Sequence, residues 1–320
     1  MDARFLHGRG EFVANIRMVG MVDVAFVRSP IAHARIRSIA KPPEHAHAVF
    51  SIDDLQGVKP IVANCALPSF KVSAQYVLAK DKVRQVGEMV AMCYAETRAE
   101  AEDIAALVAV DYEELPPVVD MLDALKPGAP LIHEHWGDNV FLEMIVEDDL
   151  SQIKRTAPIQ VRRQLRTARQ SMAPLEGRGV VAFHDRRLDQ LTVYSATQMP
   201  HINRAGLAEC LGIDQGSIRV ISPDVGGGFG YKGILLPEEI CLAWLCRTLG
   251  RPVRWIEDRR EQLSASANCR EHHYDITAYA DAQGKLLAID CDATVDSGAY
   301  SSYPFSACCL LYTSDAADEL

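Results

Sequence analysis

The stretch Ser222–Gly233, with the sequence SPDVGGGFGYKG, is the part of the chain whose residue types most directly indicate chemistry. Three consecutive glycines carry no Cβ atoms and permit positive φ angles, so the backbone can come close to a bulky ligand and offer N–H donors to its oxygens. Residues 228–233 also match G-x-G-x-x-G, which holds the pyrophosphate of a dinucleotide when a strand precedes it and a helix follows. The stretch therefore predicts a ligand-binding loop, unless it is only a tight structural turn.

Two details of this stretch argue against the dinucleotide interpretation. In a dinucleotide fold the first glycine leaves the strand almost at once, whereas here SPDVGG intervenes after the predicted strand IRVIS. The last glycine should pack at the start of the helix, but Pro237 marks a helix start about four residues later. We therefore favour a loop that lets the backbone approach a bulky ligand, and we keep an NAD(P)-binding Rossmann-type dehydrogenase as an alternative function.

Other residues with chemical potential have simpler interpretations. His133 and His135 could share one face of a strand, but no further nearby Cys or His completes a zinc site, so we expect exposed loop histidines. Glu238 and Glu239 lie in the first turn of a predicted helix, where the helix dipole favours carboxylates, and we expect both to be exposed. Arg178 is expected to be a structural or interface residue.

The elements around these residues alternate between strands and helices along the whole chain. Thr97 and Glu100 form a capping box that opens a helix between two strands. After a looser region, two strands that form a hairpin precede a helix over 200–211, which ends at Gly212. A strand, the glycine loop, a second helix over 237–249 and another strand follow, and a long hairpin turns at residues 282–284.

The composition excludes several function classes. The chain has 320 residues and a net charge of −10, enough length for two domains or for one domain and a large part of another. An acidic protein without a clustered excess of Lys and Arg does not suit nucleic acid. We expect no membrane span and no secretion signal, and the nine scattered cysteines without a C-x-x-C pair predict reduced thiols in a cytoplasmic protein.

Several motifs together resemble the molybdenum-cofactor subunit of the xanthine dehydrogenase/aldehyde oxidase family. The similarity runs in order from Asp2 to about Ala307, and it is carried by four motifs: TQMPH at 197–201, PDVGGGFGYK at 223–232, GRPVRWIEDRREQL at 250–263 and DSGAYSSYP at 296–304. It implies an α+β chain with an α/β hammerhead domain over 1–120, an extended connection over 121–170, and the first, incomplete part of a molybdenum-cofactor-binding domain over 171–308. Residues 309–320 resemble a translated sequencing adapter, and we expect a non-native tail there.

The resemblance also implies which residues meet the cofactor. In this family the glutamine that matches Gln198 hydrogen-bonds an oxygen ligand of molybdenum, and an amide can both donate and accept such a bond. The residues that match Gly227, Gly228, Phe229 and Gly230 line the molybdenum and its pterin, and Phe229 borders the substrate pocket. Gln198 and Phe229 are expected beside the metal centre, with no side chain binding the metal directly.

The reaction implied by the resemblance is an oxidative hydroxylation that takes its oxygen from water. The expected substrate is an aldehyde or an N-heteroaromatic compound, with carbon monoxide ranked after them. Purine-oxidising members carry an acidic residue where this chain has Gly233, which argues against a purine substrate. The expected cofactor is molybdopterin cytosine dinucleotide with molybdenum.

The resemblance further implies partners and a longer chain. Electrons are expected to pass to a [2Fe–2S] small subunit and an FAD-binding medium subunit, in a dimer of heterotrimers. The catalytic base of the family is a glutamate that we expect beyond the end of this sequence, so the catalytic residue is unknown here and the chain is expected to be inactive alone. A non-catalytic structural or interaction module is the remaining alternative.

Overall fold

The structure, a computed structural model, describes residues 3–304 and has the predicted α+β composition. The described residues form seven α-helices: α1 (Ala3–Leu6), α2 (Arg98–Leu107), α3 (Met121–Ala124), α4 (Ser151–Thr156), α5 (Pro200–Leu211), α6 (Pro237–Leu249) and α7 (Arg259–Ala265). The predicted non-native tail, residues 309–320, lies outside the described residues. None of the helices in this part of the chain has the length and apolar character needed to cross a membrane.

Strands make up the other half of the architecture. The described residues contain fifteen strands: β1 (Val22–Arg28), β2 (Ala34–Ala40), β3 (Val49–Phe50), β4 (Ile61–Val62), β5 (Ala74–Gln75), β6 (Lys82–Val83), β7 (Met89–Ala95), β8 (Ala109–Glu114), β9 (Ile159–Thr167), β10 (Gly179–Asp185), β11 (Gln190–Ser195), β12 (Ile218–Ile221), β13 (Val253–Ile256), β14 (Glu271–Ala280) and β15 (Leu286–Asp296). Short 3₁₀ helices connect several of them.

One seven-stranded sheet joins the two halves of the chain. Its strand order is β12-β11-β10-β13-β1-β7-β3, so strands from the predicted hammerhead region continue a sheet that begins in the predicted cofactor-binding region. The junction is the parallel pair β1 and β13, in which Val22 lies opposite Val253 and Asp23 opposite Arg254. The guanidinium of Arg254 also binds the carboxylate of Asp23, with Nε 2.7 Å from Oδ1. Backbone pairing and an ion pair therefore cross the predicted domain boundary.

Helix α6 packs against the middle of this sheet and is apolar on nearly every side. Pro237 occupies its first turn and Gly250, at φ 65°, ends it. Its fully buried residues include Leu242 and Leu245, and its two cysteines, Cys241 and Cys246, are buried thiols. A helix that is hydrophobic all round belongs inside a core, so α6 is an internal helix whose first turn is buried.

The second half also contains a separate sheet with the order β15-β14-β9. The predicted hairpin forms its β14 and β15. Strand β9, rich in arginine, is exposed along its whole length, and Arg162 binds the carboxylate of Asp275 on the neighbouring strand, with Nη2 2.5 Å from Oδ2. The segment 121–170, predicted as an extended connection, thus contains helices α3 and α4 and ends in a strand of this sheet.

Candidate functional site

The glycine loop connects the edge strand β12 to the internal helix α6. Three of its residues have the left-handed backbone conformation: Gly227 at φ 100°, Phe229 at φ 52° and Gly230 at φ 81°. Glycine adopts these angles without a steric penalty, whereas a phenylalanine in this region is an uncommon and unfavourable case. Phe229 is 69% exposed. The loop therefore holds an apolar side chain outward at the cost of backbone strain, which is typical of binding sites.

Gln198 lies directly against this loop. The N–H of Gly230 donates to the side-chain oxygen Oε1 of Gln198 at 3.0 Å. A Cβ atom placed on Gly228 would lie 2.8 Å from both Cγ and Oε1 of Gln198, closer than real Cβ contacts allow. The glycine loop and Gln198 are therefore in contact, and a side chain at Gly228 would require the glutamine side chain to move.

The loop and the glutamine leave a set of donors without acceptors. Among the residues that the structure describes, the N–H groups of Gly227, Gly228 and Phe229 make no hydrogen bond. Oε1 of Gln198 accepts from Gly230, and its Nε2 group remains available to donate. Consecutive N–H groups with left-handed residues among them can together bind oxygen-bearing or anionic groups. The arrangement can hold such a ligand without any charged side chain.

The backbone before Gln198 is held by local hydrogen bonds. Thr197 Oγ1 donates to the carbonyl of Lys232 at 3.2 Å and accepts from the N–H of Met199 at 3.1 Å. The hydroxyl of Ser222 donates to the carbonyl of Thr197 at 2.7 Å. These bonds tie the end of β11 to both ends of the glycine loop.

Below the loop lies a buried ion-pair cluster centred on Arg178. Its Nη2 atom is 2.7 Å from Oε1 of Glu257 and 3.1 Å from Oε1 of Glu238. The hydroxyl of Tyr231 donates to the same Glu257 carboxylate. Burial by itself raises the pKa of Glu238, but the guanidinium groups of Arg178 and Arg28 outweigh it and hold that pKa below its ordinary value. Arg178 is thus structural, as predicted.

These features contradict the dinucleotide alternative. In that interpretation an acidic residue after the next strand, such as Glu257, would bind a ribose hydroxyl. Glu257 is instead 5% exposed, and its carboxylate binds the guanidinium of Arg178 and the hydroxyl of Tyr231. The last glycine of the pattern, Gly233, also precedes the start of α6 at Pro237 by several residues, so no phosphate on this loop would meet the helix N-terminus.

The prediction that Glu238 and Glu239 are exposed is wrong. Their side chains are 2% and 1% exposed because α6 starts inside the protein. Glu238 pairs with the arginines described above. Glu239 accepts hydrogen bonds from Ser195 Oγ at 2.5 Å, from the side-chain amide of Asn203, and from the N–H of Leu236 at 3.0 Å. Both carboxylates therefore link the first turn of α6 to the elements around the loop.

The expectation that His133 and His135 are exposed loop residues holds only for His135. His133 is 5% exposed, and its ring lies 4.3 Å, centroid to centroid, from that of Trp136. Its Nε2 donates to the carbonyl of Ala299 at 2.8 Å. His133 is therefore a buried packing residue. No group of three or more potential metal ligands occurs within residues 3–304.

Sequence reasoning missed two residues that hold the loop, Glu176 and Lys232. Lys232 Nζ lies 2.7 Å from Oε2 of Glu176, and the lysine side chain is fully buried. Lysine is almost never fully buried unless it is paired, so its type gave no signal of burial. The only hint was its position directly after the glycine run, beside the buried Tyr231.

Glu239 gives a testable pH dependence. Burial raises its pKa to about 7 from an ordinary 4.5. Between these values the native carboxyl keeps a proton that the unfolded chain releases, so its contribution to stability falls as the pH rises from about 4.5 to about 7, by roughly 3 kcal/mol. We expect Glu239→Gln to lack this fall. Denaturant unfolding of both proteins at pH 5 and pH 7.5 measures it, and stability curves that run parallel would contradict the assignment.

Comparison with known families gives two matches that together cover nearly the whole chain. Residues 7–116 match the a/b hammerhead domain of aldehyde oxidase and xanthine dehydrogenase, and residues 132–316 match the molybdopterin cofactor-binding domain. The second match alone covers more than half of the chain, and it includes Gln198 and the entire glycine loop.

Individual relatives agree with these matches. The chain is 35% identical over 327 residues to the carbon monoxide dehydrogenase large chain of Hydrogenophaga pseudoflava. The alignment covers 94% of this chain and 39% of that protein. It is 36% identical over 309 residues to the nicotine 6-hydroxylase large subunit of Paenarthrobacter nicotinovorans, covering 95% and 38%.

A solved structure gives the same result in three dimensions. Quinoline 2-oxidoreductase from Pseudomonas putida 86 superimposes with a TM-score of 0.89 at 38% identity, covering 96% of this chain and 40% of that one. The chain thus spans about two fifths of the length of these relatives.

Proposed function

Because the chain belongs to the molybdopterin-binding large subunits of the aldehyde oxidase and xanthine dehydrogenase family, we propose that it forms part of a molybdenum hydroxylase acting on an N-heteroaromatic compound or an aldehyde. The fold class expected from the resemblance, a hammerhead domain followed by part of the cofactor-binding domain, is confirmed. The observation that carries the functional proposal is the contact between Gln198 and a glycine loop with unused N–H donors.

The residues present fit a molybdopterin group. The glycines from Gly226 to Gly228 let the loop backbone pack closely against its neighbours, since a Cβ on Gly226 would lie 2.6 Å from Cβ of Glu176. The free N–H groups of Gly227, Gly228 and Phe229 would donate to oxygens of the cofactor. Nε2 of Gln198 would donate to an oxygen ligand of the metal. When bound, the group supplies the two-electron oxidation and takes the inserted oxygen from water.

In this proposal the protein orients the cofactor and shapes the substrate pocket. The backbone N–H donors would hold the cofactor without adding a formal charge. Their dipoles would also stabilise negative charge that develops on its oxygens. Phe229, held outward by its left-handed backbone, borders the substrate and offers an aromatic face to it. The buried cluster around Arg178 is joined to the loop through Tyr231, whose hydroxyl donates to Glu257.

Among N-heteroaromatic compounds, a pyridine- or quinoline-type ring suits this site better than a purine. The face of Phe229 can pack against a flat ring, and Gly233 offers no carboxylate at the position where the resemblance places one in purine-oxidising members. The names of two relatives, nicotine 6-hydroxylase and quinoline 2-oxidoreductase, refer to N-heteroaromatic compounds. An aldehyde is the second candidate, and carbon monoxide the third.

We further propose the assembly that the resemblance implies. The cofactor would be the cytosine dinucleotide form of molybdopterin. Electrons would leave through a [2Fe–2S] small subunit to an FAD-binding medium subunit, in a cytoplasmic dimer of heterotrimers. Relatives of this chain are themselves named as large chains or subunits, among them a subunit of the 6-hydroxypseudooxynicotine dehydrogenase complex.

The direct test is to purify the native complex that contains this chain and to measure its metal, its pterin and its activity. We expect about one molybdenum and one pterin per large subunit, and reduction of a dye that depends on quinoline, nicotine or an aromatic aldehyde. A complex without molybdenum or pterin would contradict the proposal and favour the non-catalytic structural module.

Gln198 should matter for turnover and not for folding. Replacing Gln198 by alanine removes one hydrogen bond to the cofactor, so we expect kcat of the native complex to fall by about tenfold. The side chain is exposed in the chain itself, so the unfolding midpoint should hardly change. Gln215→Ala, which alters an exposed glutamine on a 3₁₀ turn, is the matched control. Unchanged turnover in the Gln198 variant would remove this residue from the site.

A further inference from the structure

A single carboxylate oxygen holds both ends of the glycine loop. Oε2 of Glu176 accepts from the N–H of Gly226 at 2.7 Å and from Nζ of Lys232 at 2.7 Å. The N–H of Glu176 also donates to the carbonyl of Gly226 at 3.2 Å. The residues between these two attachment points include Gly227, Gly228 and Phe229, which carry the unused N–H donors. Glu176 therefore closes the loop at its base.

Burial makes this attachment difficult to break. The side chain of Lys232 is fully buried and that of Glu176 is 15% exposed. Burial lowers the pKa of Lys232, and the carboxylate of Glu176 acts in the opposite direction. An ammonium group left in the interior without its partner is strongly unfavourable. The loop therefore cannot leave Glu176 without also unpairing a buried charge.

The same attachment extends to Gln198. The carbonyl of Lys232 accepts from the N–H of Gln198 at 2.9 Å and from Thr197 Oγ1 at 3.2 Å. The glutamine that reaches the cofactor and the loop that cradles it are thus fixed to one residue, Lys232, which is fixed to Glu176. A shift at Glu176 would therefore move both the N–H donors of the loop and the side-chain amide of Gln198.

A glycine-rich loop needs such a constraint. Gly227 and Gly230 have access to many backbone conformations, and ordering them on binding costs entropy. Donors that are ordered before the ligand arrives avoid this cost at the moment of binding. We propose that Glu176 is a positioning residue: its carboxylate fixes the N–H donors of the glycine loop and, through Lys232, the amide of Gln198. The identity of the ligand rests on the proposed function, whereas the ordering of the loop does not.

Hydrogen–deuterium exchange on the native complex tests the ordering directly. The complex is purified from cells grown with and without molybdate, as wild type and as Glu176→Ala. We expect the two hydrogen-bonded amides of this segment, those of Gly226 and Gly230, to exchange at least about tenfold faster in the variant, since the hydrogen bond at Gly226 and the charge partner of Lys232 are lost. Amides of strand β10 should keep their wild-type exchange rates, and the molybdenum content per chain should fall by several fold.

Two further variants separate positioning from general damage. Glu176→Gln keeps an oxygen acceptor for the N–H of Gly226 but loses the charge that pairs with Lys232, so we expect intermediate exchange rates. Should the alanine variant fail to fold, this glutamine variant carries the test. Glu96→Ala, which removes the carboxylate of the exposed pair with Arg251, is the matched control and should leave the loop amides unchanged.

The outcomes distinguish this inference from the proposed function. If the wild-type complex contains no molybdenum under either growth condition, and the loop still exchanges faster in Glu176→Ala than in wild type, the positioning role is supported and the proposed function is rejected. Loop amides that exchange at the wild-type rate in folded Glu176→Ala and Glu176→Gln variants would overturn the positioning role, whatever metal the complex contains.

Discussion

Replacing Arg178 by methionine should destabilise the protein by about 3–5 kcal/mol, the largest stability effect that we expect from a single side chain here. Arg178 is 3% exposed and pairs with both Glu257 and Glu238. Its removal leaves two carboxylates in the interior with less compensation, and the guanidinium also lies 5.2 Å from the centre of the Trp255 ring. Guanidinium chloride unfolding followed by tryptophan fluorescence measures the change.

A matched substitution at the surface provides the control. Arg251 forms a two-pronged ion pair with Glu96, at 2.8 and 2.9 Å, but the pair is exposed to solvent. Arg251→Met should therefore leave the midpoint nearly unchanged, because solvent screens the pair. Equal shifts for the two variants would mean that burial does not set the strength of the Arg178 cluster. Arg178→Lys, which keeps the charge but loses the fork geometry, should fall between methionine and wild type.

Replacing Gly228 by valine should abolish most of the activity of the native complex, by about a hundredfold or more in kcat. A Cβ at this position would already lie 2.8 Å from Cγ and Oε1 of Gln198, so the glutamine must move and release the N–H of Gly230. The branched side chain would also displace the Gln198 amide that is proposed to meet the cofactor. Misplacement of a positioning group by about 1 Å can cost about this much. Molybdenum content and dye reduction measure the effect together.

The control is a glycine of ordinary backbone conformation away from the loop. A Cβ on Gly216 would meet only the carboxylate end of the neighbouring Asp214 side chain, which is exposed and can rotate away. Gly216→Val should therefore keep its molybdenum and its turnover. A Gly228→Val complex with full metal content and wild-type kcat would reject the proposed position of the cofactor.

Much of the local structure could be predicted because local signals specify it. The capping box of Thr97 and Glu100 forms as expected, with the N–H of Glu100 donating to Thr97 Oγ1 at 3.3 Å. Pro200 and Pro237 each open a helix in its first turn, and Gly212 and Gly250 each end one with a positive φ. Each of these effects depends on a few neighbouring residues, so the sequence alone is enough.

Burial inside the site could not be predicted in the same way. Glu238 and Glu239 follow a helix-opening proline, a pattern that fits an exposed first turn equally well. Their burial depends on Arg178, Arg28 and Ser195, which are far away in the sequence and reach them only after folding. Likewise, β1 pairs with β13 and so joins the two halves of the chain in one sheet. The sequence of either strand alone does not indicate its partner.

By itself, the sequence indicated a run of glycines suited to close backbone approach, and the resemblance predicted a role for Gln198. Only the tertiary structure decided that Oε1 of Gln198 binds the loop at Gly230 and that Glu176 and Lys232 hold the loop closed. The physical reason is the distance along the sequence over which each effect acts. Backbone freedom is a property of each glycine, whereas a buried charge is tolerated only where a distant partner meets it.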